Sequence, residues 1–139
     1  MYPNTQLYIH GQWQDAQQGE TIAVINPATE QEIGRVAQAR IADLDLALEA
    51  AQKGFEVWKA TAPAERTKIM KKAASLLRER AGDIGHIMTL EQGKPIKQSK
   101  IEILNAVDVI EWFAGEAIRS YGQVIPARQH DVHSYTIKT

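Results

Sequence analysis

Leu90-Glu91-Gln92-Gly93-Lys94-Pro95 is the stretch from which the fold is best read. Glycine closes a helix readily, and proline opens one, because its missing N–H is not needed in the first turn. The hexapeptide therefore predicts one helix ending and a longer one beginning. Downstream, Ile103, Ala106, Val107, Ile110, Phe113, Ala117, Ile118 and Tyr121 share one side of a long helix expected to end at Gly122. Upstream, Gly82-Asp83 punctuates the chain, and Asp83 is expected to cap a shorter helix carrying Ile84, Ile87 and Met88. Before that, Pro63 suits the first turn of a helix with Ile69, Ala73, Leu76 and Leu77 as its stripe. Leu44, Ala47, Leu48, Ala51, Phe55 and Trp58 form the stripe of the helix before it, which Gly54 weakens by roughly 1 kcal/mol relative to alanine.

The two ends of the chain have β character. Leu7-Tyr8-Ile9, His10-Gly11 and Gln12-Trp13 predict a tight hairpin around a glycine with positive φ. Thr21–Ile25 and Ile33–Val36 read as strands joined by the turn Asn26-Pro27-Ala28-Thr29. At the far end Val124-Ile125-Pro126 is extended. Val132–Lys138 alternates weakly, with His133, Tyr135 and Ile137 on one face. A terminal strand is an open edge that must be paired or covered.

Composition narrows the classes. The chain has 139 residues, 16 Lys+Arg against 17 Asp+Glu and a formal charge of −1. A chain of this size buries roughly two thirds of the surface its unfolded form exposes, enough for a small domain. There is no cysteine, which excludes disulfides, thiolate metal sites and cysteine nucleophiles within these residues. The longest apolar run, Ile22–Ile25, is far too short to span a membrane. Met1-Tyr2-Pro3-Asn4 lacks the features of a secretory signal, so the expected location is cytoplasmic. Arg66, Lys68, Lys71, Lys72, Arg78 and Arg80 form a local basic bias. It reads as the solvated face of a helix, because a near-zero net charge gives no general attraction to nucleic acid.

The residues alone show no active site. No Gly-x-Gly-x-x-Gly and no Gly-x-Ser-x-Gly occurs, and Gly93-Lys94 lacks the upstream glycine of a phosphate loop. His130 and His133 point apart on an extended segment, which argues against a shared metal. His10 and His86 are isolated, and Trp13, Trp58 and Trp112 are expected to pack. On these grounds the chain is a soluble α+β piece.

In order, however, several segments resemble the opening of NAD(P)-dependent aldehyde dehydrogenases. They are Tyr8–Trp13, Val24–Thr29, Ile33–Ala37, Asp43-Leu44-Asp45, Ala50-Ala51, Phe55 with Trp58, Glu65-Arg66, Leu90–Pro95 and Ile110-Glu111-Trp112-Phe113-Ala114. Glu-Trp-Phe-Ala and its flanks are most similar to the semialdehyde branch, which oxidises succinate semialdehyde or 2-oxoglutarate semialdehyde. The resemblance implies an α/β fold fragment of short amino-terminal hairpins, three to four amphipathic helices and a terminal β-strand. Residues 1–121 would flank the cofactor-binding domain, and residues 122–139 would begin an oligomerisation arm through which the enzyme forms a homo-oligomer.

In that family a thiolate attacks the aldehyde, hydride passes to NAD or NADP, and water hydrolyses the thioester. The resemblance places the catalytic residues and the cofactor contacts outside this chain, which alone is expected to be inactive. It also implies a monovalent cation held by the carbonyl of Ile25 and by Glu91, where Glu91 reads equally well as a residue capping or solvating a helix end. Asn105, on the long helix, would face the substrate, although a polar surface position is the simpler reading. Neither a nucleic acid nor a membrane is an expected partner. The competing class is a stand-alone helical interaction module without catalysis, whose apolar stripes and terminal strand would be satisfied within one chain or by a partner.

Overall fold

Two hairpins come first. In the computed structural model, which describes residues 2–137, β1 (Leu7–Ile9) pairs antiparallel with β2 (Gln12–Gln14). His10 and Gly11 between them have φ of 56° and 78°, the left-handed pair that matches a two-residue turn to strand twist. β3 (Thr21–Asn26) pairs antiparallel with β4 (Gln31–Ala37). Val24 lies opposite Gly34 and Ile25 opposite Glu32, so Ile33 is an extra residue that bulges β4. The turn expected at Asn26-Pro27 is present. Asn26 Oδ1 accepts from the Ala28 N–H at 2.9 Å, and the Asn26 carbonyl accepts from the Glu30 N–H at 2.8 Å.

Four helices follow: α1 (Ile41–Ala60), α2 (Pro63–Glu79), α3 (Ala81–Gln92) and α4 (Ile96–Glu116). Asp43 starts α1. Its carboxylate accepts from the backbone N–H groups of Arg40 and Gln17, each at 2.9 Å, which joins the helix to the polar loop before β3. Those two donors hold its pKa below the ordinary aspartate value. Pro63 opens α2 as expected, and Arg66 ties α2 to α1 by donating to the carbonyls of Thr61 and Lys59 at 2.7 and 3.2 Å. Gly93, with φ of 74°, closes α3 and donates its N–H to the Thr89 carbonyl at 2.9 Å.

The core lies where α2 and α3 both meet α4. Ser99, Ile103, Val107 and Ala114 are the buried residues of α4. The Thr67 hydroxyl on α2 donates across the interface to the Ala114 carbonyl at 2.9 Å. Gly85 brings α3 close to α4, and one turn on, the Thr89 and Ser99 hydroxyls share a hydrogen bond of 2.9 Å across the same interface. A Cβ on Gly85 would stand 3.4 Å from the Lys100 backbone nitrogen.

Some expectations shift. Asp83 lies inside the first turn of α3 and does not cap it, because the helix already starts at Ala81. The buried face of α2 is set by Thr67 and Ala74, while Ile69 is exposed. The long helix ends at Glu116 and passes into a single 3-10 turn (Ala117–Arg119), short of Gly122. The final strand is shorter than expected: β5 (Val124–Ile125) pairs with β6 (Ser134–Tyr135). Lys138 lies outside the described residues. Trp13 and Trp112 are exposed and touch neighbouring rings instead of a core, Trp13 against Tyr8 and Trp112 edge-on to Phe113.

The apolar stripe of α1 exists as its spacing requires, yet it is largely uncovered. Leu44, Leu48 and Phe55 are each more than half exposed. Among the described residues no helix is long and apolar enough to cross a membrane.

Candidate functional site

The hexapeptide Leu90–Pro95 is a junction of three parts of the chain. Its glycine lies against the Asn26-Pro27 turn: a Cβ on Gly93 would come within 2.9 Å of Pro27 Cγ. Only glycine fits there, and only glycine takes the left-handed conformation freely. Lys94 reaches forward to Glu102 on α4 and forms an ion pair with it. Glu91, in the last turn of α3, accepts through Oε2 from the Tyr2 hydroxyl at 3.0 Å.

The end of β3 and the end of α3 are thus neighbours, and with them the two segments that carry Ile25 and Glu91. Two features of the junction suit a monovalent cation. Glu91 stands where the helix carbonyls already concentrate negative charge, and the last turn of α3 contains no basic residue. Among the described residues Glu91 forms no salt bridge, and Lys94 is engaged elsewhere. A carboxylate and a backbone carbonyl are also the oxygen donors that hard cations take. Among the described residues there is no cluster of three or more His, Asp or Glu that could hold a metal.

No motif or periodicity marks Tyr2. Its hydroxyl has a raised pKa, through burial first and then its hydrogen bond to Glu91. A signal was present in Gly34. A glycine inside a strand marks a close approach, and here the ring of Tyr2 lies on it: a Cβ would fall 2.5 Å from Tyr2 Cδ1.

Asn105 is exposed on α4, on the side away from the buried Ile103 and Val107. At 100° per residue Ile101, Val109 and Trp112 share its direction, and all three are exposed. Gln98 and Glu116 lie in the same direction, with Glu102 and Asp108 at its flanks, so Asn105 sits on a face that mixes apolar and polar side chains. The cleft between the β1–β2 hairpin and α1, lined by Tyr8, Ala47, Ala51, Gly54 and Trp58, is mostly apolar. His10 and Lys53 also line it, with no carboxylate among the lining residues to pair with them.

The remaining candidates do not converge. His130 pairs at 3.2 Å with the adjacent Asp131, both fully exposed, and His133 is exposed as well. The basic run of α2 is partly engaged within the fold. Arg78 pairs with Asp108 at 3.4 Å and Glu111 at 3.0 Å, Lys68 pairs with Glu65 at 2.6 Å, and Arg66 binds carbonyls.

Comparison with known proteins gives a consistent picture. The family model described as "Aldehyde dehydrogenase family" matches residues 13–139. A glutarate-semialdehyde dehydrogenase of Pseudomonas putida is 44% identical over 133 residues, covering 96% of this chain and 28% of that protein. The NADP(+) succinate-semialdehyde dehydrogenase of Escherichia coli is 40% identical over 133 residues, with the same two shares. The crystal structure of an aldehyde dehydrogenase from Brucella melitensis biovar abortus 2308 superposes with a TM-score of 0.92 at 41% identity. It covers 96% of this chain and 28% of that one. The chain thus spans just over a quarter of the length of the relatives it matches.

Proposed function

The chain belongs to the aldehyde dehydrogenase family, and from that premise we propose that it forms the amino-terminal part of an enzyme that oxidises a semialdehyde to the carboxylic acid with NAD or NADP. The observation that carries the substrate class is the pair of semialdehyde dehydrogenases 44% and 40% identical to it. Their printed substrates widen the expected set, succinate or 2-oxoglutarate semialdehyde, to include glutarate semialdehyde. What unites the three is an aldehyde and a carboxylate on a short chain.

The chain's part in that enzyme is structural. It has no cysteine, so the thioester chemistry belongs to residues outside it, and the 139 residues alone are inactive. The nicotinamide cofactor, when bound, accepts the hydride, and its contacts likewise lie outside these residues. Residues 1–121 flank the cofactor domain, and residues 122–139, with β5 and β6, begin the oligomerisation arm of a homo-oligomer. The uncovered stripe of α1 supports this arrangement, because an apolar face of that extent is one that further polypeptide would cover.

Within this reading the Ile25 carbonyl and the Glu91 carboxylate contribute two ligands to a monovalent cation. The charge at the end of α3 and the oxygen donor set both fit it. Asn105 faces the substrate passage, and the exposed Ile101, Val109 and Trp112 beside it are apolar surface that such a passage would use.

The test is a chimera in which this chain replaces the matching segment of the Pseudomonas putida enzyme. It should oxidise glutarate and succinate semialdehydes with a kcat/KM at least tenfold above that for an aldehyde lacking the carboxylate. Asn105→Leu should raise KM several-fold and leave kcat within twofold. A folded chimera with no preference for semialdehydes would remove the substrate assignment.

A further inference from the structure

The first described residues form a strap along β4. The Thr5 N–H donates to the Arg35 carbonyl at 3.0 Å, and the Ala37 N–H donates to the Thr5 carbonyl at 2.9 Å. Asn4 Oδ1 accepts from the Arg35 N–H at 2.9 Å. Held this way, the strap lays the Tyr2 ring on Gly34 and brings its hydroxyl to Glu91, 89 positions further along the chain. Tyr2 is 9% exposed, whereas Glu91 lies near the surface.

A glutamate at the end of a helix has several rotamers, and the C-terminal end of the helix dipole disfavours its charge. A lysine or arginine would fix the carboxylate but also neutralise it. A tyrosine hydroxyl fixes one oxygen and leaves the charge in place. That combination is unhelpful to α3 by itself and useful to a cation.

We propose that Tyr2 is a positioning residue: its hydroxyl, set by the strap and by Gly34, holds the Glu91 carboxylate ready for a monovalent cation. This rests on the cation reading given above. The strap thereby links the amino terminus to the junction of α3 and α4. Tyr2→Phe removes the hydroxyl and keeps the ring on Gly34. Gly34→Ala keeps the hydroxyl and displaces the ring, since its Cβ would meet Tyr2 Cδ1 at 2.5 Å.

The experiment measures the melting temperature of the chimera described above, made without an amino-terminal tag, in potassium or sodium chloride against choline chloride at equal ionic strength. The chimera with the parent sequence should show a rise specific to the small cation. In Tyr2→Phe and in Gly34→Ala the midpoint of that rise should move to at least fivefold higher cation concentration, and the double variant should shift no further than either alone. Glu91→Gln should abolish the rise. A purely structural role for Tyr2 would lower the melting temperature equally in every salt and leave the midpoint unmoved. If the rise is present, is lost in Glu91→Gln and is unchanged in Tyr2→Phe, the positioning role is overturned and the cation reading stands. If the chimera with the parent sequence shows no cation-specific rise, both fall. Should Gly34→Ala fail to fold, Tyr2→Phe decides alone.

Discussion

Asp43 is 2% exposed and is the one buried residue of α1. A lone buried carboxylate is costly unless hydrogen-bonded, and this one receives two backbone N–H groups, from Arg40 and Gln17. Arginine has no acceptor to offer in return, so the start of α1 has only the Asp43 half of a capping box. Because the folded pKa of Asp43 is depressed, its contribution to stability is full above the unfolded aspartate value. It is lost as pH falls through the folded value. Asp43→Asn should therefore flatten the acid limb of a melting-temperature profile below about pH 4; an unchanged acid limb would show that the cap does not titrate with folding. Gly11 offers a second test, since a Cβ there meets nothing within 4 Å while φ is 78°. Gly11→Ala should cost about 1 kcal/mol from backbone conformation alone, measured by urea unfolding. The hairpin was legible because glycine announces its turn. The role of Asp43 was not, because its partners are backbone groups, one of them 26 positions away.

Among the helices, periodicity located every element, and tertiary contact then decided which face was covered. In α2 the apolar count favours Ile69, yet the buried face passes through Thr67, whose hydroxyl has a carbonyl partner on α4. A side chain that satisfies a facing carbonyl can displace a more apolar one from an interface. Thr67→Val should destabilise the chain by about 1 kcal/mol by leaving the Ala114 carbonyl without its side-chain partner. Val107, fully buried in α4, should cost about 2 kcal/mol when changed to alanine. On α1 the prediction reverses. Leu48 is 59% exposed, so Leu48→Lys should change the stability of the 139-residue chain by less than about 0.5 kcal/mol. In the chimera the same change places a charge on a face that the rest of the enzyme is proposed to cover, and it should lower the melting temperature there.

For the whole molecule, the 25 exposed large hydrophobic side chains among the described residues are the feature that elements taken singly do not explain. Most lie on α4, along α1 and on the terminal hairpin, with Tyr8, Trp13, Ile22 and Ile25 on the first two hairpins, away from the small core that α2, α3 and α4 enclose. The family was legible in the sequence because ordered short segments at consistent spacing are specific even where each one is not. The junction at Leu90–Pro95 was legible as a break, and its contact with Tyr2 was not, because no periodic signal links residues 2 and 91. In this reading the chain supplies scaffold and no catalytic residue to a semialdehyde dehydrogenase. The direct measurement follows NADH or NADPH formation from glutarate semialdehyde by the isolated chain and by the chimera, side by side. No turnover is expected from the isolated chain, and thiol-dependent turnover from the chimera. Turnover by the isolated chain, or a soluble and folded chimera without activity, would contradict that reading.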